Sequence, residues 1–285
     1  MGLYSRIPAF PGFWPAKEQV VDSKADIKEQ LAARDPAFMR QWWPIVRTAQ
    51  RVWHRPEVRG IERLPDGACL VVSNHSGGAL SMDAPILFEA FAAHNGMDRP
   101  AYLLAHDVLF KTPVGALMRR WGIVPANPGV ASTALKEGGV VLVFPGGDED
   151  VYRPTTNATV IDFHGRTGYL KLAAEAGVPI VPVVSIGGQE TQLFLASGTR
   201  LAKALRLPKF LRARVMPVTL GFPFGVAPLN LPLPSKIVVQ VLDPIAAPAA
   251  DASAEQRAAV DKHIRSVMQQ AMNHLARERR LPVLG

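Results

Sequence analysis

The sequence predicts an α/β fold: a mostly parallel or mixed central sheet covered by helices, with an N-terminal helical arm and a C-terminal helix. Three observations carry this. Two runs, Ala68-Cys69-Leu70-Val71-Val72 and Val140-Val141-Leu142-Val143-Phe144, are apolar at every position, which implies strands covered on both faces. Segments with helical spacing alternate with such runs along the chain. The runs end in loop signals, Ser73-Asn74-His75-Ser76-Gly77-Gly78 after the first and Pro145-Gly146-Gly147 after the second.

Taken in order, residues 1–25 are rich in proline and aromatics (Pro8, Phe10, Pro11, Phe13, Trp14, Pro15) and read as an irregular arm. A polar helix follows from Asp26 to Arg34. Asp35-Pro36 opens a second, over 36–54, with aspartate as cap and proline at the first position. This helix mixes Phe38, Trp42, Trp43, Ile45, Val46 and Trp53 with Arg40, Arg47 and Arg51. That mixture suits a lipid headgroup boundary, or a docked helix whose arginines face water. Val58 to Leu64 reads as a strand, Pro65-Asp66-Gly67 as a turn, and residues 84–93 as a helix after the first core strand. Next come a strand at 101–104, a helix at 113–121, a strand at 122–125 and a helix at 129–136. Beyond the second core strand, Asp148-Glu149-Asp150 and the residues to Asn157 read as a polar loop, followed by a helix over 165–176. The strand Pro179 to Val184 carries two prolines, which places it at an edge or a strand end. Between Thr199 and Asn230, Arg200, Lys203, Arg206, Lys209, Arg212 and Arg214 are interleaved with leucines, and the apolar loop Leu220 to Gly225 follows. A strand at 236–242 and a polar helix from Asp251 to Arg280 close the chain. The expected organisation is an arm with an amphipathic helix (1–57), an α/β domain (58–250) and a C-terminal helix packed on it (251–285).

Composition narrows the function. At 285 residues, 48% hydrophobic and 20% charged, the chain buries a sizeable core in one large domain or two small ones. A formal net charge of +8 favours an anionic partner. The single cysteine, Cys69, lies in a core strand, so no intramolecular disulfide forms and a reducing compartment is expected. No apolar stretch approaches the roughly 20 residues that span a bilayer. The N-terminus lacks the layout of a secretory signal. Membrane contact is therefore expected to be peripheral. Dinucleotide, P-loop and serine-elbow motifs are missing, and the seven histidines show no metal-ligand spacing. The arginines sit among leucine and tryptophan without a nucleic-acid-binding motif, so no nucleic-acid partner is expected.

The chemistry concentrates after the first core strand. A histidine at the C-terminal end of a parallel strand stands where open α/β sheets bind ligands. His75 with Asp83 on the next element has the form of a general base and its orienting carboxylate. Asp83 before Ala84-Pro85 also has the form of a plain helix cap.

Three segments, Asn74-His75 with Asp83, Phe144-Pro145-Gly146-Gly147, and Val178-Pro179-Ile180-Val181-Pro182-Val183, resemble in order and interval the glycerolipid and lysophospholipid acyltransferases. The resemblance covers roughly residues 58 to 245 and is similar to the 1-acylglycerol-3-phosphate acyltransferase branch, with Phe-Pro-Gly-Gly in place of Phe-Pro-Glu-Gly. It implies transfer of an acyl chain from acyl-CoA, or acyl carrier protein, to a glycerolipid hydroxyl at an anionic membrane surface. It implies no metal and no cofactor beyond acyl-CoA as co-substrate. The implied location is cytoplasmic, peripheral on the inner face of the cell membrane. On this resemblance His75 is the general base and Asp83 its partner. Asn74, Gly77, Gly78, Phe144, Pro145, Gly146 and Gly147 line the substrate site, Pro179 and Pro182 shape the acyl end, and backbone N–H groups near Gly77-Gly78 face the oxyanion. Three departures stand out. Seven residues separate His75 from Asp83 where the family usually has four, and Gly122 to Asn127 lacks the family's arginine. Gly146 replaces the glutamate, with Asp148-Glu149-Asp150 beside it. Arg153 and Arg166 are the candidates to hold an acceptor phosphate in place of the missing groups. The expected acceptor is lysophosphatidate or another lysophospholipid. The alternatives are a neutral mono- or diacylglycerol acceptor and a catalytically inactive lipid-binding relative.

Overall fold

The computed structural model describes residues 23–206, 214–221, 223, 225, 230–281 and 283. The proline- and aromatic-rich arm before Ser23, Lys209 and Arg212 of the basic stretch, and Phe222 and Phe224 of the apolar loop lie outside the described residues.

Strong local signals fix the first helices. In α1 (Lys24–Ala32), Ser23 and Asp26 cap each other's backbone N–H groups. In α2 (Pro36–His54), Asp35 accepts from Phe38 N and proline fills the first turn. The chain then builds β1 (Glu57–Arg59), β2 (Cys69–Ser73), α3 (Asp83–Asn95), β3 (Ala101–Ala105), α4 (Val114–Arg120), β4 (Ile123–Pro125), α5 (Pro128–Lys136) and β5 (Val140–Val143). Next come α6 (Gly147–Val151), α7 (Gly168–Ala176), β6 (Ile180–Ile186), β7 (Leu193–Ala196), α8 (Thr199–Ala204), β8 (Val218–Leu220), β9 (Val238–Val241) and α9 (Ala254–Glu278). Among the described residues, seven strands form one sheet in the order β1-β9-β6-β2-β5-β3-β4. From β6 to β4 the strands run parallel; β9 joins β6 antiparallel, and β1 lies parallel to β9. The sheet is mixed, with a parallel centre.

Strand alternation sorts the core into two layers. Leu70 and Val72 of β2 face α5, α7 and α9, through Leu135, Tyr169, Met268 and Met272 among others. Cys69 and Val71 face α3 through Ile86, Leu87 and Phe91. β2 lies at the centre, β5 on one side and β6 on the other, and the crossovers from β2 and from β5 leave in opposite directions. The C-terminal ends of these three strands therefore meet at a topological switch point, the place where α/β sheets open a crevice.

The structure corrects four expectations. The strand expected over 58–64 ends at Arg59, because Gly60 turns the chain at φ +73° into a 3-10 turn, Ile61–Arg63. The polar stretch after Gly147 holds the short helix α6 and a 3-10 turn, Thr155–Asn157, rather than a continuous loop. The basic stretch contains α8, and the chain on either side pairs as the antiparallel hairpin β7–β8, which its leucine-rich sequence had concealed. The fourth concerns β6, which lies inside the sheet. Pro182 is tolerated there because its carbonyl, and so the side where its N–H would be, faces Leu242, just beyond the end of β9. The partner chain loops out there and returns only at Ile245, which pairs with Ile180.

The C-terminal helix shares the main core. Met268 and Met272 are fully buried, and Ser253 and Gln256 close a capping box at its start. Met272→Ala should cost about 2–5 kcal/mol. Urea denaturation should show this as a lower midpoint with one cooperative transition; an unchanged midpoint would show α9 to be detachable.

Candidate active site

The loop after β2 has left the sheet, so its backbone groups need partners from elsewhere. Asn74 supplies the first tie. It is fully buried, donates from Nδ2 to Ser185 O at 2.9 Å and accepts Ser185 N at 2.8 Å, fastening the loop to β6. Asp150 accepts His75 N at 2.5 Å, and Arg153 donates to His75 O at 2.8 Å. Asp83 accepts Ser76 N at 2.9 Å, and Gln189 accepts Gly77 N at 3.2 Å.

Gly77 and Gly78, at φ +94° and +74°, lead into a 3-10 turn, Gly78–Leu80. This turn absorbs the extra residues between histidine and aspartate, and α3 begins with Asp83 pointing back at the loop. Asp83 Oδ2 lies 3.4 Å from His75 Nδ1. Ser81 Oγ stands 3.4 Å from the same nitrogen and also donates to Asp83 Oδ1. Asp83 is therefore more than a helix cap, since its side chain is buried against the loop. Burial alone pushes this carboxyl up, but the His75 ring, the Ser81 hydroxyl and the Ser76 N–H outweigh it and hold it below its ordinary value. The ring of His75 stacks on Phe144 at the end of β5, with centroids 4.0 Å apart and planes 16° from parallel. The His75 side chain remains 23% exposed. With the proton on Nδ1 directed to Asp83, Nε2 is left as the accepting nitrogen.

The residues expected at the site separate into two groups. His75, Asp83, Phe144, Gly77 and Gly78 converge, and Pro145, Gly146 and Gly147 follow Phe144 directly. Asn74, Arg153 and Arg166 instead hold the loops from behind. Arg153, 7% exposed, also bonds Asp150 and Ala158 O. Arg166, 3% exposed, donates to Pro145 O and Gly146 O and pairs with Asp148 and Glu149. Asp148 also accepts Arg214 N at 2.7 Å, and Glu149 lies 3.4 Å from the Arg214 guanidinium. The acidic run is thus matched by arginines rather than open. The Gly77 N–H, expected to face an oxyanion, is already bonded to Gln189. Gly77 and Gly78 serve close packing: a Cβ on Gly77 would meet Gly188 O at 3.1 Å, and one on Gly78 would meet Phe194 at 3.2 Å. Pro179 and Pro182 belong to the entry and interior of β6. Gly122 to Asn127, where the family's arginine is missing, forms the edge strand β4 and the cap of α5. Sequence reasoning missed Gln189 and Ser81 and assigned Asp150 only to a charged run. Among the described residues there is no group of His, Cys, Asp and Glu fit to hold a metal ion.

Residues 55–186 match the family model described as Acyltransferase. An uncharacterized protein of Mycobacterium tuberculosis is 35% identical over 205 residues, 71% of this chain and 55% of that protein. The DGAT1/2-independent enzyme synthesizing storage lipids of Mus musculus is 30% identical over 173 residues, 60% of this chain and 50% of that protein. The chain thus spans about half the length of the curated relatives it matches. The crystal structure of the 1-acyl-sn-glycerophosphate acyltransferase PlsC from Thermotoga maritima superposes with a TM-score of 0.49 at 20% identity, covering 88% of this chain and 81% of that one.

Asp83→Asn keeps the volume and removes the charge that meets Ser76, Ser81 and His75. It should cost about 1.5–3 kcal/mol at pH 7, the scale for hydrogen bonds to an ionised group. Because these partners hold the native carboxyl below its ordinary value, the stabilisation is fully present above the ordinary aspartate range and fades as pH falls through the lowered native value. Urea midpoints of the two proteins should therefore differ at pH 7 and converge at low pH. A constant difference would show that the charge has no part in it.

Proposed function

The chain carries a domain of the acyltransferase family across residues 55–186, and from that premise we propose that it transfers an acyl group from acyl-CoA to a glycerolipid hydroxyl, with His75 as general base. The observation that carries the reading is the His75–Asp83 pair at the switch point of the sheet. A neutral alcohol is a poor nucleophile, and Nε2 of His75 takes its proton as the oxygen attacks the thioester carbonyl. The tetrahedral intermediate collapses, the carbon–sulfur bond breaks, and the proton passes from the imidazolium to the leaving thiolate. Asp83 holds the Nδ1–H tautomer and stabilises the imidazolium between these steps. Acyl carrier protein is the other donor compatible with this chemistry.

The sequence favours a lysophospholipid acceptor such as lysophosphatidate. One observation favours a neutral mono- or diacylglycerol instead. Arg153 and Arg166, the side chains available for a phosphate, are buried and committed to carboxylates and carbonyls. The mouse relative's name, an enzyme synthesizing storage lipids, supports the same choice. Acyl-CoA consumption should be measured with lysophosphatidate, other lysophospholipids, monoacylglycerol and diacylglycerol. Transfer to at least one neutral acceptor is expected, and strict selectivity for lysophosphatidate would sink the neutral reading. His75→Ala should lose at least ~10²-fold in turnover while keeping its fold. A variant with near-normal turnover excludes His75 as the base. Lipid binding without turnover on any acceptor would favour the inactive relative.

A peripheral position on an anionic membrane is part of this proposal. No helix among the described residues is long and apolar enough to cross a membrane. On α2, Phe38, Met39 and Trp43 are buried, and Arg40 and Arg47 pair with Asp98 and Glu89. Trp42, Ile45, Val52 and Trp53 remain exposed, Ile45 at 61% and Val52 at 74%. The apolar stripe, more than the arginines, is the surface offered to lipid. Ile45→Glu with Val52→Glu should cut flotation with anionic vesicles at least tenfold, since burying each apolar side chain is worth about 1.5–3 kcal/mol. Unchanged flotation would return this face to water.

A further inference from the structure

Asp150 and Arg153 lie outside the histidine–aspartate pair, yet together they hold both polar groups of the His75 peptide. Asp150, at the C-terminal end of α6, is 2% exposed and accepts His75 N. Its other oxygen accepts from Arg153, whose Nη1 also donates to His75 O. The ring closes through Gln189, which donates to Arg153 O and accepts Gly77 N. An ion pair buried this deeply is a doubtful source of stability, because desolvation offsets much of the attraction. Its geometry is better suited to fixing one peptide in place.

The glycine at 146 belongs to the same arrangement. A Cβ built on Gly146 would lie 2.7 Å from Asp150 Cγ and 2.8 Å from Asp150 Oδ2. Asp150 in this pose therefore excludes any side chain at 146, glutamate included. The departure from Phe-Pro-Glu-Gly makes the space that this carboxylate occupies.

We infer that Asp150 and Arg153 are a positioning pair for His75, gripping its N–H and C=O so that the imidazole keeps its place between Asp83 and Phe144, with Gly146 as the space that admits the pair. The pair touches no reacting atom. It acts through the backbone, whereas Asp83 acts on the ring. This rests on the role proposed for His75, and the test separates the two.

Asp150→Asn preserves size but turns one acceptor oxygen into an N–H donor that must face either His75 N–H or Arg153. Steady-state acyl transfer and hydrogen exchange of the peptide spanning 74–78 should be measured on this variant, with melting as a control for folding. The expected result is a fall in kcat of at least tenfold with KM for the acyl donor unchanged, since small misplacements of a catalytic group are costly. Exchange in 74–78 should rise at least tenfold. Gly146→Ala, which displaces Asp150 without altering its charge, should give the same two changes and decides the matter if Asp150→Asn does not fold. Retained kcat, or exchange in 74–78 no faster than in the wild type, overturns the inference. If the wild type transfers no acyl group to any acceptor, the proposed function fails, and the exchange measurement alone decides whether the pair holds the loop.

Discussion

A carboxylate buried at the start of a helix stays ionised only if its oxygens are met, and the site depends on how Asp83 satisfies this condition. Ser76 N–H, the Ser76 and Ser81 hydroxyls, Ala84 N–H and the His75 ring all converge on it. The partners come from both sides of the Gly77-Gly78 turn, so the charge can be met only when the turn is folded. Loop geometry and ionisation state are one property here. That is why two adjacent residues at positive φ stand in a loop that must close tightly against Gly188 and Phe194.

A second carboxylate, Asp150, meets the same histidine at its backbone N–H under a different regime. Burial drives its pKa up, and the opposing pull of Arg153 leaves the net direction upward, whereas Asp83 is held down. Asp83 addresses the imidazole and Asp150 the peptide. The basic surface suggested by the net charge is likewise reduced near the site, where Arg153, Arg166 and Arg214 are matched to the acidic run.

Much of the fold was legible because burial writes itself into short sequence windows. Cys69 to Val72 of β2 and all of β5 are apolar, and every one of these positions is buried. Asp35-Pro36 marks a helix start because capping is local chemistry, whereas the last helix, expected from Asp251, begins at Ala254 behind its cap Ser253. β6 was misplaced for the opposite reason. Proline counts against a central strand unless a neighbouring strand happens to stop beside it, and that is a fact about residues 242–245, far away in sequence. At the site, His75 and Asp83 could be found because they flank one loop. Gln189 and Asp150 could not, since their roles arise where three separate strand ends meet. Arg153 and Arg166 show the same limit, because a sequence displays a charge but not the partner that already holds it.

The thiol of Cys69 offers a last consequence. It is fully buried in β2, and burial pushes its pKa up to about 12. Being the chain's single cysteine, it leaves the native protein without a reactive sulfur for reagents that require a thiolate. The thioester donor proposed above would, by contrast, release a free thiol with every turnover. A chromogenic disulfide added to the reaction would then register the leaving group alone and follow the reaction continuously, and a slow rise in signal without donor would report unfolding of the central strand.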